Sequence, residues 1–283
     1  MEIVKFAFNG ANKEIPPQEI IGFLEDNPYA EIGFGVSRQN SDTDMPLWRY
    51  LTDLADRVAP GGQGGNYGEV RGIALHVWGR KDDCDASWPA QMARGLLPKG
   101  LEQLSYAFPN MCLQINFGNL NIGLREAEDF HYSGLLKRLR DCCLPGGEYG
   151  YYNNVTFTFQ YNDDTKGFIE AYHEMVSGNN YRVDGMDTRF NLLYDDSHGK
   201  GVVPKKYRPP VFKDLLQGYC GGIGEDNVEE VVKKIAAAQT DSKAKVYLDA
   251  EGKVRSADGK HLDLDKAARL YAKALDLGLG KGR

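Results

Sequence analysis

Short runs of β-branched and aromatic residues alternate with stretches of helical period along the whole 283-residue chain. The spacing predicts strands at Ile3–Phe8, Glu31–Val36, Gly72–Trp78, Met111–Phe117, Val155–Gln160, Phe190–Tyr194, Gly218–Gly221 and Lys245–Leu248. Between them it predicts helices at Pro17–Asp26, Pro46–Val58, Trp88–Ala107, Leu124–Cys142, Thr165–Val176, Pro210–Leu216, Asp226–Ala238 and Leu264–Leu275. Pro17 and Pro46 fall where a first helical turn tolerates proline, and Asp226–Asn227 ahead of VEEVVKKI read as a capped helix start. A strand that must reach a parallel neighbour needs a crossover long enough to hold a helix, so the alternation itself selects a parallel sheet. Strand and helix strictly alternating, with a helix last, predict an α/β chain closed into a (β/α)8 TIM barrel; a doubly wound open sheet is the structural alternative.

One domain is expected over residues 1–277, with 278–283, rich in Gly, Lys and Arg, as a fraying tail. Length beyond a minimal barrel collects around 59–70, 81–110 and 145–154, which predicts enlarged βα loops. Apolar residues make up 42% and charged residues 26%, the balance of a chain with a sizeable core. The 34 Lys+Arg are spread out against 40 Asp+Glu, and this net charge of −6 disfavours nucleic acid as the main partner, which would require a concentrated basic surface. No apolar run approaches a membrane span, and the start MEIVKFAFNGANKE has no leader pattern. Cys84, Cys112, Cys142, Cys143 and Cys220 form an odd set with no CxxC pair, which suits a reduced compartment. A cytoplasmic protein without a metal is expected, since no ligand set has metal spacing.

In such a barrel the chemistry stands at the C-terminal ends of the strands. Those ends bring Asn9; Ser37 and Arg38; His76 and Trp78; Gln114 and Asn116; Gln160; Asp195, Asp196, Ser197 and His198; Cys220; and Asp249 and Glu251. In YCGGIGEDNVEEVV, Gly221, Gly222 and Gly224 allow a tight turn into a helix whose free N–H groups suit a phosphate. The plain alternative is a glycine-rich turn, but the DSHGKG and LDAEGKV turns flank the same region and add Gly199, Gly201 and Gly252 to the cradle. Asp196 is the acid/base candidate by position, because a carboxyl group in a barrel mouth is tunable by desolvation; either it or Asp195 is equally placed to cap the turn. Arg38 suits a substrate anion or an ion pair with a mouth acid. His198 reads as a proton shuttle or as exposed, Cys220 as core filler or nucleophile, and His76 as a satisfied strand histidine.

Five segments together resemble phosphoribosylanthranilate isomerase, a (β/α)8 enzyme of tryptophan biosynthesis. AEIGFGVSR is similar to its second strand through Gly33, Phe34, Ser37 and Arg38. MCLQINFG keeps Gln114 and has Asn116 where the family has a histidine. LLYDDSHGKG matches the sixth strand through Asp196, Gly199 and Gly201, YCGGIGEDNV the seventh, and YLDAEGKVR the eighth. The resemblance implies Asp196 as general acid, Arg38 as the holder of a substrate carboxylate, and Gly221 with Gly222 at the phosphate. VKFAFNG aligns Lys5 but has Ala7 where the family carries its general-base cysteine, which implies a different base or a different reaction.

The expected function is an isomerase-like enzyme, isomerase or lyase, acting on a phosphorylated sugar or nucleotide-derived metabolite without a cofactor. Asp196 would be its acid/base, assisted by Asn9 or Asp249, with Arg38, Gln114, Asn116 and His198 binding substrate. The alternative is a non-catalytic barrel that binds or sequesters a phosphorylated ligand.

Overall fold

The structure, a computed structural model, describes residues 1–36, 46–58, 72–78, 88–93, 98, 101, 112–116, 156–177, 182–183, 186–187, 190–196, 200–241 and 243–281. In chain order they form β1 (Glu2–Ala11), α1 (Pro17–Asp26), β2 (Ala30–Val36), α2 (Pro46–Val58), β3 (Ile73–Val77), α3 (Trp88–Ala93), β4 (Cys112–Ile115), β5 (Thr156–Tyr161) and α4 (Lys166–Ser177). There follow β6 (Arg182–Val183), β7 (Met186–Asp187), β8 (Phe190–Tyr194), β9 (Gln217–Tyr219), α5 (Val228–Ala238), β10 (Lys245–Ala250), a 3-10 turn at Gly252–Val254, and α6 (Leu264–Asp276). The helix expected at Leu124–Cys142 and, apart from residues 98 and 101, the continuation of α3 to residue 107 lie outside the described residues, as do Ser37, Arg38, Ser197, His198 and Gly199.

The hydrogen-bonded strand order is β1-β10-β9-β8-β5-β4-β3-β2, and it closes on itself as a barrel. That closure is the TIM-type arrangement the alternation predicts, and an open doubly wound sheet is not formed. β6 and β7 make a separate antiparallel pair that the sequence pattern did not announce. No helix among the described residues is long and apolar enough to cross a membrane.

The chain divides into two compact units, residues 1–35 with 191–283, and residues 36–190. In the first, the parity of β1 sorts its side chains onto two faces. Phe6 and Phe8 are fully buried, and Phe8 meets Phe23 of α1 edge-on at 5.8 Å and Tyr271 of α6 at 6.5 Å, so even-numbered positions pack on the helices. Each buried phenylalanine contributes about 2–3 kcal/mol of transfer free energy, which anchors β1 between its helices. The helices supply matching stripes: Ile20 and Phe23 on α1, Val228, Val231 and Ile235 on α5, and Ala267, Leu270, Tyr271 and Ala274 on α6 are buried. α6 begins at Asp263, whose carboxylate accepts from the Lys266 N–H at 3.0 Å, and Asn27 closes α1 by donating to the Phe23 carbonyl at 2.7 Å.

The odd positions from Lys5 to Asn9 face the other way and carry two polar side chains, Lys5 and Asn9. Lys5 is opposite Tyr247 in register, Ala7 opposite both Asp249 and Glu31, and Asn9 opposite Gly33. Lys5 Nζ donates to both Glu31 carboxylate oxygens at 2.9 Å and sits 4.6 Å from the centre of the Tyr247 ring. On β9, Gly218 lies beside Tyr247, and a Cβ there would fall inside the tyrosine ring; the ring occupies this face only because that side chain is absent.

The second unit shows the same alternation with different chemistry. Leu75, Val77, Leu113, Ile115, Phe157 and Phe159 form an apolar, buried set on one face of β3, β4 and β5. The other face carries His76, Gln114 and Thr158 side by side in register. Trp48 of α2 and Trp88 of α3 meet edge-on at 6.2 Å.

Pro210–Leu216 is not helical. The Val211 N–H donates to the Tyr194 hydroxyl at 2.8 Å, the Gln217 side-chain amide donates to the Phe212 carbonyl, and Leu216 accepts from Leu192 N–H at 3.0 Å. The apolar spacing of Val211, Phe212, Leu215 and Leu216 mimics a helix, but seven residues that begin at Pro209–Pro210 are too few to repay helix nucleation against these bonds.

Candidate functional site

In the first unit, register places the C-terminal strand ends in levels. Leu193, Gly218 and Tyr247 share a level on β8, β9 and β10; Asp249 stands two residues further along β10 on the same face, and Asp195 and Cys220 stand one residue past the ends of β8 and β9. Asp249 pairs with Ala7 and Ala7 with Glu31, so the order around this end reads Asp195, Cys220, Asp249, Ala7, Glu31. One step above, Asn9 stands opposite Gly33, which adds no side chain there.

Asn9 and Asp249, both named from the sequence, are brought together: Asn9 Nδ2 donates to Asp249 Oδ1 at 2.6 Å. Both residues are about as buried as the apolar core, at 3% and 4% exposure. The remaining oxygens, Asn9 Oδ1 and Asp249 Oδ2, are buried and accept no hydrogen bond. A buried acceptor without a donor forfeits its water bonds for nothing, a cost of about 1–3 kcal/mol each, so two at one point mark a place built for something else. Burial pushes the Asp249 carboxyl up to about 8; the Asn9 bond pulls down, Glu251 and Glu31 push up and Lys5 pulls down. Near neutral pH this group therefore exchanges its proton.

Cys220 is a free thiol beside it, and its Sγ donates toward the Tyr194 carbonyl at 3.2 Å. Burial, and then the neighbouring charges of Asp195 and Asp249, hold the thiol well above its ordinary range. It is a protonated thiol at neutral pH and a poor nucleophile or base. Asp195 is buried and near enough to this thiol to help raise it. Asp196, one residue on, points to the opposite face, where its Oδ1 accepts from Arg208 Nε at 2.5 Å in a part-buried ion pair. Arg208 was not selected from the sequence, because it lies in the irregular stretch after β8, where no periodicity marks it.

Of the expected phosphate cradle, Gly201, Gly221, Gly222 and Gly252 are described. Gly221 and Gly222 have φ of +105° and +62°. A Cβ on Gly222 would stand 2.5 Å from the Gly201 carbonyl oxygen and 3.0 Å from Val203 N, so the turn after β9 packs backbone to backbone on the segment after β8. Asn227 locks that turn, with its Oδ1 accepting from Gly224 N–H and its Nδ2 donating to the Gly222 carbonyl, both at 2.9 Å. No described residue accepts from the N–H groups of Gly222 or Ile223. Gly252 opens the 3-10 turn where a side chain would meet nothing within 4 Å, so packing does not require glycine there. Glu251 just before it pairs with Arg255, whose guanidinium lies against Gly10 at the end of β1.

Gln114 is buried in the second unit, and Asn116 follows β4, where its N–H donates to the Val77 carbonyl at 3.2 Å. Gln160 ends a strand there with a buried Oε1 that accepts no hydrogen bond. Among the described residues no group of His, Cys, Asp and Glu is placed to hold a metal ion. The chain matches no protein-family model and no curated protein.

Proposed function

We propose that the protein is an acid/base enzyme acting on a small phosphorylated metabolite, with Asp249, held by Asn9, as the group that carries the proton. The supporting observation is the Asn9–Asp249 pair at the C-terminal strand ends, buried and hydrogen-bonded through one oxygen while two others stay open. A carboxyl group raised to about 8 both donates and accepts protons near neutral pH, which is the condition for efficient proton transfer. Phosphate binding draws its support from the open N–H groups of the Gly222–Ile223 turn ahead of α5. The absence of a thiol at Ala7 then means that a carboxyl replaces it, since Cys220 is held protonated. The resemblance to phosphoribosylanthranilate isomerase motivates the substrate class.

A non-catalytic binder is the second reading, favoured by one observation: Asp196, the acid that the resemblance selects, is committed to Arg208. A thermal-shift series with ribose 5-phosphate and inorganic phosphate, followed by NMR of any stabilising compound, separates the two. The enzyme reading expects conversion by the wild type and a loss of about 100-fold or more in Asp249→Asn, with binding retained. Stabilisation with no conversion by the wild type would establish the binder.

A further inference from the structure

The Asn9–Asp249 pair also constrains what it receives, an inference that rests on the reading of this pair as the reacting end of the site. Asn9 Nδ2 gives one of its two N–H groups to Asp249 Oδ1. What remains open is Asn9 Oδ1, which only accepts, and Asp249 Oδ2. When Asp249 is ionised both of these atoms accept, and a ligand group that completes both then brings more than one hydrogen, which an alkoxide, a carboxylate or a phosphate oxygen does not.

Charge points the same way. The described cations on this face are matched: Lys5 with Glu31 on β1 and β2, and Arg255 with Glu251 after β10. Cys220, after β9, is a neutral thiol. Asp249 has no ion-pair partner among the described residues; its hydrogen bond is to a neutral amide, and Lys5 acts on it through its field alone. An incoming carboxylate would meet the ionised Asp249, and among the described residues of this face no cation stands without an acid to receive it.

We infer that the floor of the site binds the primary amino group of its ligand as an ammonium, which donates to Asn9 Oδ1 and to Asp249 Oδ2, so that the substrate is an amine-bearing phosphorylated metabolite. Binding then balances as R–NH3⁺ plus the neutral Asp249 carboxyl giving the R–NH3⁺ carboxylate pair and one proton released to solvent. The carboxyl that gives up this proton is the same one that transfers protons in the reaction.

Three probes share a phosphate and differ at the other end: phosphoethanolamine, glycerol 3-phosphate and 3-phosphoglycerate. Titrated calorimetrically into the wild type, phosphoethanolamine should bind about tenfold or more tighter than the other two. Its binding should release close to one proton at pH 7 and tighten as pH rises from 6 to 8. Asp249→Asn should erase both the preference and the release while still binding all three. Equal affinities, a preference for either other probe, or binding without proton release would overturn the inference while leaving phosphate recognition intact. If none of the three binds, phosphate recognition is what fails. The floor is then decided by the Asn9 side-chain amide signal in ¹⁵N spectra with ethanolamine, ethylene glycol and glycolate: a shift specific to ethanolamine upholds it and no such shift overturns it.

Discussion

The polar faces of the two units obey one geometric rule and spend it on opposite chemistry. On β1, β2 and β10, and just past β8 and β9, the face opposite the helices carries Lys5, Glu31, Asp249, Asp195 and Cys220, whereas on β3 to β5 the face opposite the apolar set carries His76, Gln114 and Thr158. In the first unit the helix-facing side is a closed apolar set, and in the second the face opposite His76, Gln114 and Thr158 is apolar and buried as well. The difference teaches where the molecule accepts a cost. The open amide oxygen of Gln160 in the second unit is a neutral group, whereas a buried acid with an open oxygen carries the larger desolvation cost and is tolerated only where something other than stability is served. The Asn9–Asp249 pair is such a place.

If that contrast is right, breaking the charged face should hurt most. Lys5→Ala leaves Glu31 buried beneath the site without its cation and removes the contact with the Tyr247 ring, and it should cost about 3 kcal/mol in urea unfolding. A loss below about 1 kcal/mol would mean that this face is wet and that the contrast between the units is one of composition only. The smallest effect is expected on the neutral face. Thr158→Val removes a hydroxyl whose described partner is the Cys112 thiol at 3.3 Å, and should change stability by less than about 1 kcal/mol. A larger loss would show that the second unit has a polar network as demanding as that of the first.

Much of this was legible in the sequence. The alternation of strand and helix signals marked every barrel strand, and a strand's C-terminal end is a position rather than a contact, which is why Asn9 and Asp249 were selected. Their mutual bond was not, because it joins residues 240 apart in the chain. The Lys5–Glu31 pair was readable in principle: Lys5, Ala7 and Asn9 alternate with Phe6 and Phe8, and Glu31 and Gly33 with Ile32 and Phe34. The parity was there, but two acids and a lysine on adjacent strands also describe an exposed face. The choice between Asp195 and Asp196 depends on one residue of register, which local sequence does not set; Asp195 falls on the face of Leu193 and Asp196 on that of Arg208. Pro210–Leu216 carries helix-like spacing, yet its backbone is claimed by Tyr194 and Gln217, partners visible only in the fold.

The central claim is that Asp249 trades its proton near neutral pH, and the direct measurement is a ¹³C carboxyl titration of Asp249 in the folded protein. The account predicts a midpoint near 8. Because the folded state then holds a proton that the unfolded chain gives up at an ordinary carboxyl value, stability should fall as pH rises from about 4 to 8, and Asp249→Asn should remove that fall. A midpoint in the ordinary carboxylate range, with the same pH profile of stability in the variant, would contradict the account.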